Sequence, residues 1–214
     1  MASATINALY DTYIRKSSPS TNFEGDDYVV LGKVGTEDQI DRILLDIPLS
    51  AVAGKIITSA TLYLYQVYSS YAYTNTISFG VYRIYDSWSP SGVTWANMPG
   101  YSSTAREAAS LSGNSSGWRS FDITGLIQDI IHNDQSYEGL MIRQLDEDVG
   151  NTRKNFSTIE AGKRPYLVIG YNDGGIWAKN GGIWKRGQVY AKNDGIWKQG
   201  ILYAKNGGVW KQGT

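Results

Sequence analysis

The sequence predicts an all-β chain: a β-sandwich with one short helix, followed by a C-terminal tail of β-hairpin repeats. The composition favours strands and tight turns, with 16 Tyr, 7 Trp and 24 Gly against only 5 Pro in 214 residues. Several segments of the first 172 residues alternate apolar and polar positions as half-buried strands do. A 13-residue unit is then written three times between residues 175 and 213, which is the signature of one small structural unit copied in register.

Five segments of the body, residues 1–172, show the alternation expected of strands. They are residues 41–49, 59–68, 77–85, 139–145 and 166–171. In the second segment Ala60, Leu62 and Leu64 share one face, and tyrosines occupy the other. In the first, Ile43 and Leu45 share a face in the same way. We therefore expect these segments to build the two sheets of a sandwich.

Residues 124–133 (TGLIQDIIHN) break this pattern, because Leu126, Ile127, Ile130 and Ile131 recur at helical spacing. Thr124 is expected to cap a short helix that closes one end of the sandwich. His132 is the sole histidine of the chain. With no orienting partner evident in the sequence, it is expected to be a solvated residue of the last helical turn rather than a catalytic base.

Eight segments of the body resemble a known family in sequence and in order. They are residues 11–23 (DTYIRKSSPSTNF), 42–49 (RILLDIPL), 57–65, 87–99 (SWSPSGVTWANMP), 118–127, 137–142, 156–160 and 164–170. Together they resemble the DNRLRE, or disaggregatase-related, domain, which is itself similar to carbohydrate-binding modules. The resemblance implies a jelly-roll β-sandwich in an extracellular or surface protein, often attached to sugar-active enzymes. It does not imply that the domain itself does chemistry.

The tail, residues 173–214, is expected to form three hairpins. Asn180-Gly181, Asn193-Asp194 and Asn206-Gly207 suit two-residue type I′ turns. Such turns would pair Trp177 with Trp184, Tyr190 with Trp197 and Tyr203 with Trp210. If the intervening connections are three-residue loops, all six rings share one face, and if they are two-residue loops, alternate hairpins turn their rings to the other face.

A row of six exposed rings needs cover, because a lone ribbon of this size is marginal in water. One alternative is burial against the body or against other copies in a homo-oligomer, most simply a trimer. The other is a binding face whose rings stack on sugars while the neighbouring lysines contact anionic groups. The repeats are similar to Trp/Lys/Gly repeats at the ends of phage virion proteins.

Charge is divided between the two parts. Residues 174–214 hold six Lys, one Arg and one Asp, a net charge of +6, whereas residues 1–173 hold 13 Lys or Arg and 19 Asp or Glu, a net charge of −6. This asymmetry indicates an anionic partner for the tail or contact between tail and body. Because the two charges cancel over the molecule, nucleic acid is not expected as a partner.

The body offers a tyrosine-rich segment as a candidate glycan site and several residues as structural ones. Tyr68, Tyr71 and Tyr73 are expected to contact sugar, together with Tyr101. The resemblance implies packing roles for Trp88 and Trp95, with ligand stacking as the alternative, and it implies a buried structural ion pair between Arg42 and Glu160.

No metal or cofactor is assigned by the sequence. Three carboxylate clusters, at residues 24–27, 37–41 and 146–148, could bind a structural calcium ion, but none has the alternating spacing of a known calcium loop. The same clusters could serve as a carboxylate pair in glycoside cleavage, although nothing fixes their separation. A phosphate-binding loop, a zinc ligand set and a nucleophile elbow are all absent from the sequence.

Two functions follow from these patterns. The first is a non-catalytic structural or adhesion protein of a phage virion (head fibre, decoration or tail appendage) that contacts other virion proteins and host surface polysaccharide. The second is a carbohydrate-binding module of a secreted or cell-surface glycan-active system. The chain has no cysteine, its N-terminal residues lack the pattern of a signal peptide, and membrane insertion is not expected. A virion surface location suits these features, since particles are released by host lysis.

Overall fold

The computed structural model describes residues 2–35, 38–104, 107–133 and 135–173, together with six strands of the tail. The eleven body strands are all antiparallel: β1 Ala2–Asn7, β2 Tyr10–Arg15, β3 Tyr28–Lys33, β4 Ile40–Asp46, β5 Lys55–Val67, β6 Ile77–Ile84, β7 Glu107–Leu111, β8 Gly117–Asp122, β9 Gly139–Gln144, β10 Lys154–Ser157 and β11 Tyr166–Asp173. A 3-10 turn, Ser50–Val52, precedes β5, and the helix α1, Thr124–His132, follows β8. The predicted all-β sandwich with one short helix is confirmed.

The strands form two sheets that share a strand. In the first sheet, β5 lies between β8 on one side and β11 on the other, and β1 pairs with the far edge of β11. Beyond the end of β11, β10 continues beside β5 and pairs with β3. The second sheet runs in the order β2, β4, β9, β6, β7. Strand β3 also pairs with the start of β4, so it joins the two sheets.

The core lies between the sheets because each contributes one apolar face. Ala60, Leu62 and Leu64 of β5 are fully buried there, as the alternation of this segment predicts. They meet Ile43 and Leu45 of β4 in a single continuous cluster. Each fully buried leucine contributes about 1.5–3 kcal/mol relative to an exposed one. This cluster is therefore the main source of stability of the body.

The second sheet is also apolar on its outer face, which the alternation alone did not predict. A second buried cluster lies there, formed by Ile14, Leu44, Tyr82, Ile84, Val93 and Met141. Segment 87–103 crosses this face and covers it with Trp88, Trp95, Met98 and Tyr101. Strand β4 is consequently buried on both faces, whereas the outer face of the first sheet has no such cover among the described residues.

Helix α1 closes one end of the sandwich, and Leu126, Ile127 and Ile130 enter the core. Thr124 is the first helical residue rather than the cap, because the cap position is occupied by Ile123. Thr124 is nevertheless held by the Asp122 carboxylate, which accepts hydrogen bonds from its N–H and its hydroxyl. Among the described residues no helix is long and apolar enough to cross a membrane.

His132 has a structural contact instead of the solvated position expected of it. Its Nε2 accepts a hydrogen bond from the backbone N–H of Ile57 at 3.2 Å. The side-chain amide of Gln128 donates to the carbonyl of Ile57 at 3.0 Å. The two contacts dock α1 onto β5.

In the described part of the tail, six strands form three separate antiparallel pairs: β12 Ile176–Asn180 with β13 Ile183–Gly187, β14 Tyr190–Asn193 with β15 Ile196–Gln199, and β16 Tyr203–Asn206 with β17 Val209–Gln212. The expected register is wrong. Asn180 pairs with Ile183 as the last strand residue, so Trp177 lies opposite Arg186 and Lys179 opposite Trp184.

The other two hairpins repeat this difference. Tyr190 pairs with Gln199 and Tyr203 with Gln212, so the expected direct aromatic pairs do not form. The physical reason lies in the turn dipeptide, since Gly-Gly and Asp-Gly suit a type I′ turn as well as Asn-Gly does. The side chains of the tail lie outside the described residues, so the predicted face of Trp177, Trp184, Tyr190, Trp197, Tyr203 and Trp210 stays a prediction.

Asp11 on β2 is buried with one of its two carboxylate oxygens unpartnered. Its Oδ2 accepts a hydrogen bond from the N–H of Ile159 at 3.0 Å, whereas Oδ1 has no partner in the described part of the chain. Burial raises the pKa of Asp11 to about 7, against the lowering effect of the Ile159 hydrogen bond. The folded protein therefore holds this proton far more tightly than the unfolded chain does.

We expect Asp11 to make the parent protein less stable as the pH rises. Because its folded pKa is raised, the stabilisation by the bound proton is complete below about pH 4 and is lost as the pH rises through 7. Between pH 5 and pH 8 this amounts to roughly 2–3 kcal/mol of unfolding free energy. Asp11→Asn is expected to remove this loss, which urea unfolding at the two pH values would measure. If the unfolding free energies of variant and parent fell equally between the two pH values, Asp11 would not be the group responsible.

Candidate functional site

The outer face of the first sheet carries four aromatic side chains in mutual contact. Tyr63 and Tyr65 alternate with the buried leucines of β5, while Trp118 and Tyr166 belong to the neighbouring strands β8 and β11. The strand register brings them together, because Tyr63 pairs with Tyr166 and Tyr65 pairs with Trp118. We call these four residues the aromatic platform.

The rings of the aromatic platform hold one another in place. Tyr63 and Tyr166 stack with their centroids 4.7 Å apart and their planes 6° from parallel. Trp118 meets Tyr65 and Tyr166 edge to face, at 5.3 and 5.1 Å. The Nζ of Lys163 lies 5.5 Å from the centre of the Tyr65 ring. Trp118 remains 42% exposed, so the platform presents aromatic surface and one cation to solvent.

This geometry suits a glycan. Aromatic pairs contribute about 0.5–1.5 kcal/mol each beyond the area that they bury, so the rings are ordered before any ligand arrives. A ligand that binds to ordered side chains avoids the entropy cost of fixing them. The apolar C–H face of a sugar ring packs on such a surface, while Lys163 offers a hydrogen-bond donor to an oxygen at its edge.

The predicted tyrosine segment lies at the end of β5 that adjoins the aromatic platform. We call residues 68–75 the tyrosine loop. Tyr68 and Tyr71 are 64% and 76% exposed. The N–H of Tyr68 donates to the hydroxyl of Ser116, two residues before Trp118. The N–H of Tyr73 donates to the carbonyl of Arg153 at 3.1 Å. The tyrosine loop therefore adds exposed rings next to the platform.

Tyr101 does not join this group. It lies on the outer face of the second sheet, where its ring meets Tyr82 edge to face at 5.7 Å. Its hydroxyl accepts hydrogen bonds from Arg143 at 3.0 Å and from Arg42 at 3.5 Å. The structure thus places Tyr101 in a packed polar cluster of the second sheet, whereas Tyr68, Tyr71 and Tyr73 lie together on the tyrosine loop.

Arg42 forms its ion pair with Glu147, and the expected pairing with Glu160 is wrong. The contact is bidentate, with Nε to Oε1 at 2.7 Å and Nη2 to Oε2 at 2.8 Å. The guanidinium also lies over the Trp95 ring, 4.3 Å from its centre. Glu160 instead lies near Asp11. Arg42 and Trp95 therefore fasten segment 87–103 to the second sheet.

Trp88 is likewise held in place. Its Nε1 donates to the carbonyl of Glu138 at 2.8 Å. Gly139, with φ of +135°, follows directly, and a Cβ there would lie 2.5 Å from the carbonyl oxygen of Leu45 and 3.3 Å from Nε1 of Trp88. Only glycine allows this approach of the indole to β4 and β9.

A cleft of about 530 Å³ lies beside Trp88, on the side of the molecule formed by the second sheet. Its walls include the exposed side chains of Leu9 and Tyr10 and the carboxylates of Asp46 and Glu138. Burial, followed by the charge of Glu138, raises the pKa of Asp46. The cleft has one exposed ring, that of Tyr10, whereas the rings of the aromatic platform are held by contacts with one another, so we place the candidate glycan site on the platform.

The carboxylate clusters of the sequence are dispersed into structural roles. Asp26 accepts a hydrogen bond from the Tyr13 hydroxyl, Asp41 pairs with Arg15 at 2.7 Å, and Glu147 pairs with Arg42. Among the described residues, which leave out Glu37, no group of three or more His, Asp or Glu side chains is placed to hold a metal ion.

Sequence reasoning missed the aromatic platform, although half of its signal was visible. Alternation had already assigned Tyr63 and Tyr65 to the face opposite the leucines. Trp118 lies 53 residues after Tyr65 and Tyr166 lies 103 residues after Tyr63, and only the strand register makes them neighbours. The tyrosine loop was the more conspicuous feature because its rings are close together in the sequence.

A family model described as carbohydrate-binding module family 96 matches residues 2–171. The match spans both sheets, α1 and the aromatic platform, and it ends before the first hairpin of the tail. It supports the carbohydrate-binding sandwich that the resemblance implied, while the DNRLRE assignment and the origin of the repeats stay predictions. No curated protein matches the chain.

Glu147→Ala tests the architectural role of the buried pair. The change leaves the Arg42 guanidinium, only 8% exposed, without its carboxylate. We expect the free energy of unfolding to fall by about 3 kcal/mol in urea denaturation. Asp148→Ala, at the exposed neighbouring position, is the matched control and should change it by less than about 0.5 kcal/mol. Equal effects of the two variants would contradict the role.

Proposed function

Since this chain belongs to carbohydrate-binding module family 96, we propose that it is a non-catalytic protein that holds a polysaccharide on the aromatic platform. We further propose that it acts at the surface of a phage particle, as a head fibre, decoration or tail appendage. The family supports glycan binding without catalysis. The platform supplies the site, and the tail supports the location on a particle.

The aromatic platform is the observation that carries the glycan part of the proposal. Its four rings lie on a sheet face that no described segment covers, and all of them fall within the part of the chain that the family model matches. Exposed apolar surface of this kind is unfavourable unless something binds to it. Mutual ring contacts fix the surface, which suits repeated sugar units rather than one enclosed molecule.

The tail is the feature that favours a virion. Three hairpins of nearly identical sequence follow the body, which is typical of elements that build a contact surface by repetition. Their net charge of +6 opposes the −6 of residues 1–173. We therefore propose that the tails hold a homo-oligomer together, most simply a trimer, and dock it onto other virion proteins, leaving the platforms to face host polysaccharide.

The family match favours a second function, a binding module of a secreted or cell-surface glycan-active system. In that case the platform binds the same class of ligand, but the neighbouring genes encode enzymes of glycan degradation. For a virion protein, capsid and tail genes are expected beside this one. The gene neighbourhood therefore separates the two functions without any purified protein.

Trp118→Ala tests the glycan site directly. A glycan array of the parent protein identifies the ligand, and calorimetry then measures the affinity of each variant. Because Trp118 contacts two other rings and presents the exposed surface, we expect its removal to weaken binding about tenfold or more, which corresponds to ~1.4 kcal/mol.

Tyr10→Ala is the matched control, because Tyr10 is a 50% exposed tyrosine on the second sheet, beside the cleft. It should bind like the parent, and so should Trp197→Ala in the tail. If Tyr10→Ala weakened glycan binding and Trp118→Ala did not, the binding site would be the cleft rather than the platform. A parent that retains no glycan on the array would remove the glycan part of the proposal.

Light scattering tests the assembly role of the tail. The full-length chain is expected to form a homo-oligomer, whereas residues 1–172 alone are expected to be monomeric, because the repeated strands are the proposed contact. A monomeric full-length chain would contradict this role, and an oligomer formed by both chains would transfer the contact to the body.

A further inference from the structure

Lys154 is a fully buried lysine at the end of the sandwich opposite α1. Its ammonium group donates to three backbone carbonyl oxygens: that of Tyr73, that of Asn75 at 2.7 Å and that of Gly113 at 2.9 Å. An ammonium has three N–H donors and no acceptor. The three carbonyls therefore satisfy it completely.

The charge of Lys154 is compensated by carbonyl dipoles rather than by a carboxylate. Within the described part of the chain Lys154 forms no ion pair. A buried cation without compensation is expensive, and here the compensation has the form that bound metal ions receive from backbone oxygens. Burial lowers the pKa of Lys154 to about 8, so the group is still mainly cationic at pH 7.

The three carbonyls belong to two separate loops. Tyr73 and Asn75 lie in the tyrosine loop, and Gly113 lies in the connection from β7 to β8, the strand that carries Trp118. Asn114 reinforces the junction, because its side-chain amide donates to the carbonyl of Ser69 at 2.7 Å. Lys154 thus lies beneath the junction between the tyrosine loop and the connection that leads into β8 and Trp118.

We infer that Lys154 is a positioning residue for glycan binding. Its ammonium group serves as a fixed internal cation that holds the tyrosine loop beside the aromatic platform, so that Tyr71 and Trp118 contact the same polysaccharide chain. The role rests on the proposed glycan function of the platform. In this role, a residue without exposed surface contributes to a binding site on the outside of the molecule.

Lys154→Met keeps most of the aliphatic stem and removes the three donors. The carbonyls then lack partners, and buried carbonyls without partners favour opening of the loop to water. We expect chymotrypsin to cleave after Tyr71 at least about tenfold faster than in the parent. This rate corresponds to a free energy of loop opening that is lower by ~1.4 kcal/mol. Glycan affinity should fall by the same factor as in Tyr71→Ala.

Phe156→Leu is the stability control, since Phe156 lies two residues along β10, is buried in the core and supplies none of the carbonyls that accept from Lys154. It should lower the unfolding free energy while leaving both the cleavage after Tyr71 and the glycan affinity near those of the parent. Lys154→Arg, which retains a cation with several donors, should restore most of both properties and covers the case in which Lys154→Met does not fold.

The double variant Lys154→Met with Tyr71→Ala completes the test. If Lys154 acts through the loop, the double variant binds no more weakly than Tyr71→Ala alone, because coupled residues are not additive. Additive losses would overturn the inference, as would equal cleavage rates for Lys154→Met and Phe156→Leu. A parent that binds no glycan removes the proposed function and this role with it, whereas the cleavage rates decide separately whether Lys154 holds the loop.

Discussion

The alternation of β5 fixes both the core of this protein and the surface that it offers to a ligand. Leu62 and Leu64 are fully buried on one face, and Tyr63 and Tyr65 lie on the other. A slip of one residue in the register would expose the leucines and bury the tyrosines. Because each leucine is worth about 1.5–3 kcal/mol in the core, packing on the inside determines where the rings stand on the outside.

The sequence was most informative where the physical signal is local. Alternation located β4, β5, β6, β9 and β11, and the spacing of Leu126 and Ile130 located α1. Hairpins were also predicted for the tail, but with the wrong register. Asn180 is a strand residue here, and several dipeptides of the repeat satisfy the same turn. When several neighbouring dipeptides suit the same turn, the sequence predicts that a hairpin forms but does not determine its register.

The candidate site depends on contacts that no local pattern contains. Trp118 contacts Tyr65, which lies 53 residues earlier in the chain, because β8 pairs with β5. Arg42 meets Glu147 rather than Glu160 because β9 returns beside β4. Lys154 reads in the sequence as an ordinary surface lysine. Lys154 and Phe156 are two residues apart on β10 and therefore share a face of the strand. That this face points inward is decided only when the sheets assemble.

An open aromatic surface and a repeated tail fit together physically. A platform on a sheet face contacts one side of a sugar chain, so a single module buries less ligand surface than an enclosed pocket does. Linking several modules raises the effective concentration of each platform near the chain, and avidity then exceeds single-site affinity by about 10²–10⁴-fold without new contacts. On a polysaccharide, which repeats the same unit, the oligomer that we propose would increase the strength of binding even if the tail never contacted the sugar. The proposed assembly and the proposed glycan site therefore support each other, because modest contacts of Trp118 and its neighbours would suffice for adhesion only in an oligomer.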